Sequence, residues 1–396
     1  MRQRALAGDQ TLLRQMNRTA IIRAVWETPG VSRSKVAQQV GLTKSTVSLL
    51  TGELIHEGWL VDGETNVAST PGRPSIPLRI NAERFALLGV EVGVDRLNAV
   101  SIDPAGTVLH EIHTHGDFRN LRVALEQVSI LAHRLELLAH REGRDVVGIG
   151  VGLPGPVNTA SRMLTVAPNL GWSNIPLERL LHEHLSASLG ARVFVDNDAN
   201  LSAMSEYLFG PNRHCSDLLY IYIAHGIGGG LMLNHAIYRG RHGFAGEIGH
   251  ITMNPNGPKC SCGNHGCAET LFSVHAIERD VFEATNERLS LEQTRQRLLY
   301  GDRDVTRVLH RAATHLGVFV SNLVNALDPE VVVIGGPIME LGEALLEPAR
   351  REMQRRLFGK THRTVELRRS VFDGNECAIG AAGFAWHNLL ETAGKD

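Results

Sequence analysis

The chain has 396 residues, 43% hydrophobic and 21% charged, which predicts a soluble globular protein of two or three domains with ordinary cores. No run of eighteen apolar residues occurs, and Arg2, Arg4, Asp9, Arg14 and Arg18 interrupt the stretch where a signal peptide needs apolar residues. The expectation is therefore a cytoplasmic protein with neither a membrane span nor a secretion signal. The net charge of -2 conceals an asymmetry: residues 1–80 carry +4 and the remainder -6, which points to a nucleic-acid partner for the first part alone.

In chain order, residues 19–28 have helical spacing in Ile21, Ile22, Val25 and Trp26, and Pro29-Gly30 stops that helix. Ser32 or Ser34 can cap a short helix containing Val36, Ala37 and Val40. Gly41 then makes a turn, and Thr43 caps a longer helix to about Glu57. Ala37, Gly41, Val47 and Leu50 have the spacing of a helix-turn-helix, with Lys44, Ser45, Thr46 and Ser48 left facing outward. With Arg33 and Thr43 they are the candidate DNA contacts, because short polar and cationic side chains at a helix N-terminus suit phosphates and base edges. The competing reading is a small helical bundle with a solvated face. Between residues 59 and 80 apolar residues thin out, and Gly63, Pro71, Gly72, Pro74 and Pro77 suggest a hairpin followed by an extended linker, with a domain boundary near residue 82. Gly72-Arg73-Pro74 reads equally as linker and as an arm laying Arg73 into a minor groove.

Beyond the boundary, residues 85–94, 97–102 and 108–113 read as a β-meander turning at Pro104-Ala105-Gly106. Further strands are expected at 146–152, 192–196, 218–224, 229–233 and 331–334, separated by helices such as 121–141 and 305–327, an α/β pattern. Two β-rich starts near 86 and 217 fit an internally duplicated, two-lobed domain.

Five cysteines are present, three of them within eight positions. His250, Cys260, Cys262 and Cys267 offer one imidazole and three thiolates, a full tetrahedral set for structural zinc, and Gly257, Gly263 and Gly266 permit the tight backbone of a knuckle. A closed set leaves no position for an activated water, which disfavours catalytic zinc. Cys215 and Cys377 are isolated and read as buried apolar residues. Asn197 and Asp198 end a predicted strand, where α/β sheets commonly present ligand-binding groups. Glu247 and Glu269 flank the knuckle. Taken singly such acids are mostly solvated charges; gathered around one metal they suit a polyol, whose hydroxyls both donate and accept.

Together these residues resemble the ROK family (repressors, open reading frames, kinases). The diagnostic stretch is Gly249-His250 through Cys260-Ser261-Cys262-Gly263-Asn264-His265-Gly266-Cys267-Ala268-Glu269. Met16-Asn17-Arg18 and Gly72-Arg73-Pro74 look like the repressor branch, its xylose-type members in particular. The resemblance implies an N-terminal winged helix-turn-helix (residues 1–82), followed by a two-lobed, actin-like (ribonuclease H-like) ATPase-type domain. Its lobes are expected at about 83–196 plus a C-terminal helix 378–396, and at 197–377, with the knuckle at 250–267. It further implies sugar between the lobes, held by Asn169, Asn197, Asp198, Glu247, His250 and Glu269, and dimers or tetramers. His250 can serve both zinc and sugar through its two nitrogens, and Asp198 matches the catalytic base of the family's kinases.

Those kinases resemble one another in an Asp-x-Gly-Gly-Thr turn for phosphate and magnesium, whereas the matching segment here is Glu91-Val92-Gly93-Val94-Asp95. Val94 places a branched side chain where backbone must approach phosphate, and Asp95 puts an anion in place of a hydroxyl. The second glycine turn, Gly226-Ile227-Gly228-Gly229-Gly230, is retained, with His225 where the kinases have threonine; its glycines also fit a plain hairpin. The expectation is a non-enzymatic repressor that binds a palindromic DNA operator as a dimer, modulated by a monosaccharide, on resemblance a pentose. An ATP-dependent sugar kinase with a DNA-binding appendage is the alternative, and a domain that docks another protein is the third reading.

Overall fold

The computed structural model describes residues 10–63, 76–158, 161–185, 189 and 192–392. The N-terminal head consists of helices Gln10–Glu27, Arg33–Val40 and Lys44–His56 around buried Ile21, Val25, Val36, Val47, Leu50 and Leu54. Local chemistry sets their ends. The Ser32 hydroxyl accepts from Lys35 N, Gly41 (φ 70) closes the second helix by donating to Ala37 O, and the Thr43 hydroxyl accepts from Thr46 N. The first helix starts well before residue 19. Its extra turns expose Leu13 and Met16 and are tied to the third helix by ion pairs, Arg14 to Glu53 (2.6 Å) and Arg18 to Glu57, so no apolar stripe announced them.

Strand Pro77–Ile80 pairs antiparallel with both Leu60–Asp62 and Val31–Ser32, which makes the head a winged helix-turn-helix. This revises the expected hairpin followed by a linker. Residues 77–80 are the returning wing strand, and Gly72-Arg73-Pro74 belongs to the connection between two paired strands, which lies outside the described residues. Only the short stretch from Asn81 to Arg84 joins the wing to the next strand.

Two five-stranded sheets follow. In the first, the order is Val193–Asn197, Asp145–Leu153, Phe85–Val92, Arg96–Ile102, Val108–His115; in the second it is Glu366–Arg369, Val331–Gly335, Leu218–Ile223, Ile227–Leu233, Ala236–Ile237. In each, the strand that comes first in sequence is central, its next two neighbours run antiparallel as a meander, and two later strands add in parallel on the other side. The shared topology is the duplicated, two-lobed actin-like fold that the two β-rich starts suggested. A small sheet of Val157–Asn158, Met163–Ala167 and Trp172–Ile175, and the edge strand Glu366–Arg369, went unforeseen because each is short.

Helices Asp198–Phe209 and Glu376–Thr392 cross between the sheets and pack against each other. They approach so closely that only glycine fits at the crossings. A Cβ on Gly89 would overlap the carbonyl oxygen of Ala378, one on Gly150 that of Ala381, and one on Gly380 that of Leu201. The second of these helices also carries the head. Trp386 meets Trp26 edge-on (6.3 Å between centroids) and stacks near Trp59 (6.2 Å), which in turn lies 4.6 Å from Phe85. Trp26 Nε1 donates to Pro104 O (2.8 Å), and Arg213 donates to Trp26 O (3.2 Å). One apolar cluster therefore runs from Ile21 in the head to Leu390 in the last helix.

Gly380→Ala is expected to cost at least about 3 kcal/mol, since the obstacle is backbone, whereas Gly52→Ala is expected to gain about 0.5–1 kcal/mol. Gly52 lies inside helix Lys44–His56 with open space at its Cβ position. Urea titrations of the two variants check this; a Gly380→Ala protein as stable as wild type would mean the crossing is looser than described.

Candidate functional site

His250 ends a short 3-10 turn, Ile248–His250, and Cys267 lies two residues before helix Glu269–Phe272. The loop between them is folded by its own backbone: Cys260 N donates to Asn264 O (2.8 Å), Gly266 N to Pro258 O (2.8 Å), and bridges join Thr252 to Cys267 and Lys259 to His265. Gly263 (φ 96) and Gly266 (φ 63) take left-handed conformations that a side chain would strain. The result brings together all four expected ligands, with His250 Nδ1 3.6 Å from Cys260 Sγ, Cys262 Sγ 3.7 Å from Cys267 Sγ, and every ligand atom within 4.8 Å of the others. A tetrahedron with metal–sulfur bonds of about 2.3 Å has edges of about 3.8 Å. The cluster thus fits a four-coordinate metal ion and leaves His250 Nε2 outside it. Of the other cysteines, Cys377 is buried as expected, while Cys215 is half-buried, its thiol pushed up to about 11 by burial.

Asp198 is the first residue of its helix, and Asn197 caps that helix by accepting from Ala199 N (3.0 Å) and Asn200 N (3.1 Å). The Asn197 amide also donates to Gly155 O (3.2 Å), so most of its capacity is spent on the fold. Burial pushes the Asp198 carboxyl up to about 6, with the Glu247 charge adding to the rise. Burial likewise raises Glu247, which His250 opposes and Glu269 reinforces. Glu269 accepts from Ile227 N (3.4 Å) and from Ser261 Oγ (3.5 Å), and its Oε2 with the amide of Asn169 converges over Gly226. Asp198, Glu247, His250, Glu269 and Asn169 are therefore neighbours across the two lobes, a wall rich in acceptors with imidazole and amide donors beside them.

At the first turn, Gly93 N donates to Arg96 O (2.9 Å), and Val94 and Asp95 carbonyls accept from Phe118 N and Gly116 N (3.0 Å each). Glu91 is buried, and burial pushes its carboxyl up to about 7; the hydroxyl of Tyr222, from the other lobe, donates to its Oε1 (2.9 Å). In the second turn, Gly228 and Gly230 are explained by packing: a Cβ on either would crowd Ala199 in the interlobe helix. The interlobe tie from Tyr222 to Glu91 had no signal in the sequence, since neither residue is near the other in the chain.

On the head, Lys44, Ser45 and Ser48 are exposed along the outer face of helix Lys44–His56 and Thr46 is half-exposed. Thr43 is exposed but its hydroxyl caps the helix. Arg33 is committed elsewhere, donating to Asp62 (2.9 Å) and Thr51 (3.3 Å), so it braces the helices against the wing. Leu49, 62% exposed beside Ser45 and Ser48, was not foreseen, because its apolar side chain reads as core in an amphipathic pattern. Arg73 lies outside the described residues.

The sequence profile of the ROK family matches residues 87–388. The chain belongs to the ROK family. Among curated relatives it is 32% identical to a xylose repressor of Caldicellulosiruptor bescii, the match covering 97% of this chain and 98% of that one. Its fold is similar to that of a ROK family transcriptional regulator described as a homologue of the Escherichia coli MLC protein (TM-score 0.81, 24% identity, 97% and 98% coverage). It is also similar to a ROK family glucokinase from Streptomyces griseus, solved with glucose and AMPPNP (TM-score 0.69, 26% identity), which covers 76% of this chain and 99% of its own. The ROK match begins just after the wing, so the head is an addition to the shared ROK domain. No helix among the described residues is long and apolar enough to cross a membrane.

Two outcomes are expected from this site. Purified protein should carry about one tetrahedral metal ion per chain by elemental analysis, and Cys267→Ser should carry almost none; equal metal in both would remove the cluster as the site. Asp198 ionises near about 3.9 when unfolded and near 6 when folded, so this group lowers stability as pH rises from about 4 to about 6. Asp198→Asn should therefore match wild type near pH 4 and exceed it by about 1–2 kcal/mol at pH 7.5 in urea titrations. A gap that stays flat with pH would contradict the burial of this carboxyl.

Proposed function

We propose that this ROK protein is a sugar-responsive transcriptional repressor whose cleft holds a monosaccharide and whose head binds a palindromic DNA operator as a dimer. The observation that carries the reading is mechanical. A winged helix-turn-helix rests, through Trp26 and Trp59, on Trp386 of the helix that spans both lobes. Asp198 opens the partner helix of that pair. A polyol accepted by Asp198, Glu247 and Glu269, with donors from His250, Asn169 and the remaining amide N–H of Asn197, draws the lobes together and moves both crossing helices under the head. Its effect on DNA equals its differential affinity for the two arrangements.

Structural zinc on His250, Cys260, Cys262 and Cys267 fits the donor set and the spacing, and fixes Glu269 and Glu247 on either side of one rigid knuckle. When bound it supplies cross-linking of the loop, not an activated water. On the head, Lys44, Ser45, Thr46 and Ser48 are the proposed phosphate and base contacts, with Leu49 placed to meet a thymine methyl; Thr43 and Arg33 hold the frame, and Arg73 is proposed to contact the adjacent minor groove from the wing. A dimer or tetramer supplies the second half-site reader. The acceptor-rich cleft and the likeness to xylose repressors support a pentose effector.

A kinase activity is not proposed. The carboxyl of Glu91, tied across the cleft by Tyr222, stands in the segment matching the kinases' phosphate turn, and Val94 and Asp95 add bulk and negative charge there. DNA fragments selected by the protein from a random pool, then titrated by fluorescence anisotropy with and without 10 mM aldoses, test the reading, the concentration being of the order used to saturate weak sugar sites. D-xylose or another aldose is expected to shift operator affinity at least about tenfold, Asp198→Ala should abolish the shift, and no aldose should release ADP from ATP. Sugar-dependent ADP release, or operator affinity indifferent to every aldose, would overturn it.

A further inference from the structure

Between the head and the effector core lies a cavity of about 700 Å³ whose lining includes none of Asn169, Asn197, Asp198, Glu247, His250 and Glu269. It is walled by three units: the first helix of the head, helix Asp198–Phe209 with the second-lobe hairpin, and the C-terminal helix. We propose that this cavity is a second effector site, for a small organic monoanion with an apolar body, and that the ligand clamps the head to the core.

The volume lies in the range of small-molecule sites, which favour domain junctions, and the lining divides as such sites do. One side is apolar, with Trp26, Met204, Met232 and Phe384. The other converges nitrogen groups: Arg23 from the head, His214, His235 and Arg239 from the second lobe, and His387 from the last helix. The acids facing them are Glu27 and Glu391: Arg23 pairs with both, at 2.7 and 3.4 Å respectively, His387 Nε2 lies 3.4 Å from Glu391 Oε1, and Arg239 is held by Asp196 behind the wall. An arriving anion can take over the Arg23 guanidinium and gain charge-assisted hydrogen bonds from imidazoles, whereas a cation would meet arginines whose carboxylates are spoken for. Burial holds both His214 and His387 below the ordinary imidazole range. Around His214 stand Arg213, Glu27, His235 and His387, and around His387 stand Glu391, Arg23, Glu27 and Arg239. Burial thus favours the neutral form of both rings, and an arriving anion favours their protonation. Tyr207, edge-on to His214 at 5.1 Å, completes that wall.

The cavity also touches the cleft through one chain of contacts. Arg239 donates through Nε to Asp196 (3.0 Å), and Asp196 accepts from Asn197 N (2.8 Å) and the Asn200 amide (3.2 Å), beside Asp198. Occupation of the junction is therefore wired to the strand end that faces the sugar cleft. Binding itself does not rest on the sugar reading, and the test is chosen to be independent of sugar and DNA.

Benzoate, benzyl alcohol and benzylamine share one body and differ in head charge. Isothermal titration and thermal shift with the full chain should show benzoate binding on the order of 1 mM, several-fold tighter at pH 6 than at pH 8, with the other two at least about tenfold weaker. Hydrogen exchange should slow in residues 20–28 and 384–391 on adding benzoate. His387→Gln and, separately, His235→Asn should lose benzoate binding while keeping wild-type melting temperatures and metal content. No benzoate binding, equal binding of all three compounds, or unchanged benzoate binding in both folded variants would each overturn the proposal, whatever the sugar and operator assays report.

Discussion

The structure depends on one steric constraint: the near-contact of two helices, Asp198–Phe209 and Glu376–Thr392, with each other and with the sheets on either side. Side chains at Gly89, Gly150 and Gly380 would collide with carbonyl oxygens, so backbone lies directly on backbone there. Packing of this kind has few intermediate positions. On the proposed function, a rotation of one lobe would be taken up by both helices together and so reach the head that rests on the second of them.

Buried ion pairs and the His/Cys cluster are arranged around this frame. Asp196, buried at the first sheet's edge, is held by Arg239 and in turn fixes Asn197 and Asn200, so the start of the helix that Asp198 opens is set by an ion pair spanning the lobes. Glu206, buried in the interlobe helix, is paired with Arg368 from the second lobe's edge strand. Each pair, once its partner is removed, leaves a buried charge, and this makes the lobe interface discriminating as well as adhesive. The knuckle works locally in the same manner. Its loop closes through backbone hydrogen bonds and two left-handed glycines, which bring His250, Cys260, Cys262 and Cys267 within 4.8 Å of one another next to Glu269.

The head is joined to the core by an aromatic cluster and a continuous apolar layer, with only a few residues of chain between the wing and the next strand. This differs from a reading head on a flexible tether. Trp26 contributes to the head's own core, to a ring contact with Trp386 and to a hydrogen bond with Pro104, so the head's orientation is tied to the position of the last helix. The same closeness creates the junction cavity, whose walls belong to three parts of the chain that meet only in the folded state.

Periodicity, capping residues and glycine turns were legible in the sequence because they are local: helix Leu121–Arg141, the Thr43 and Ser32 caps, the duplicated sheet starts and the four-ligand knuckle all follow from residues within a few positions of one another. Family resemblance singled out Asp198, Glu247 and Glu269, which the fold brings together. What the chain alone did not reveal were features made by distant residues. The first helix begins early because Arg14 and Arg18 find acids on another helix, Arg33 pairs with Asp62 of the wing, Tyr222 ties Glu91 across the lobes, and Pro77–Ile80 becomes the returning wing strand only because two other strands pair with it. Local sequence fixes what a segment can form at small entropic cost, whereas ion pairs and strand partners many residues apart exist only after tertiary packing has closed the loops between them.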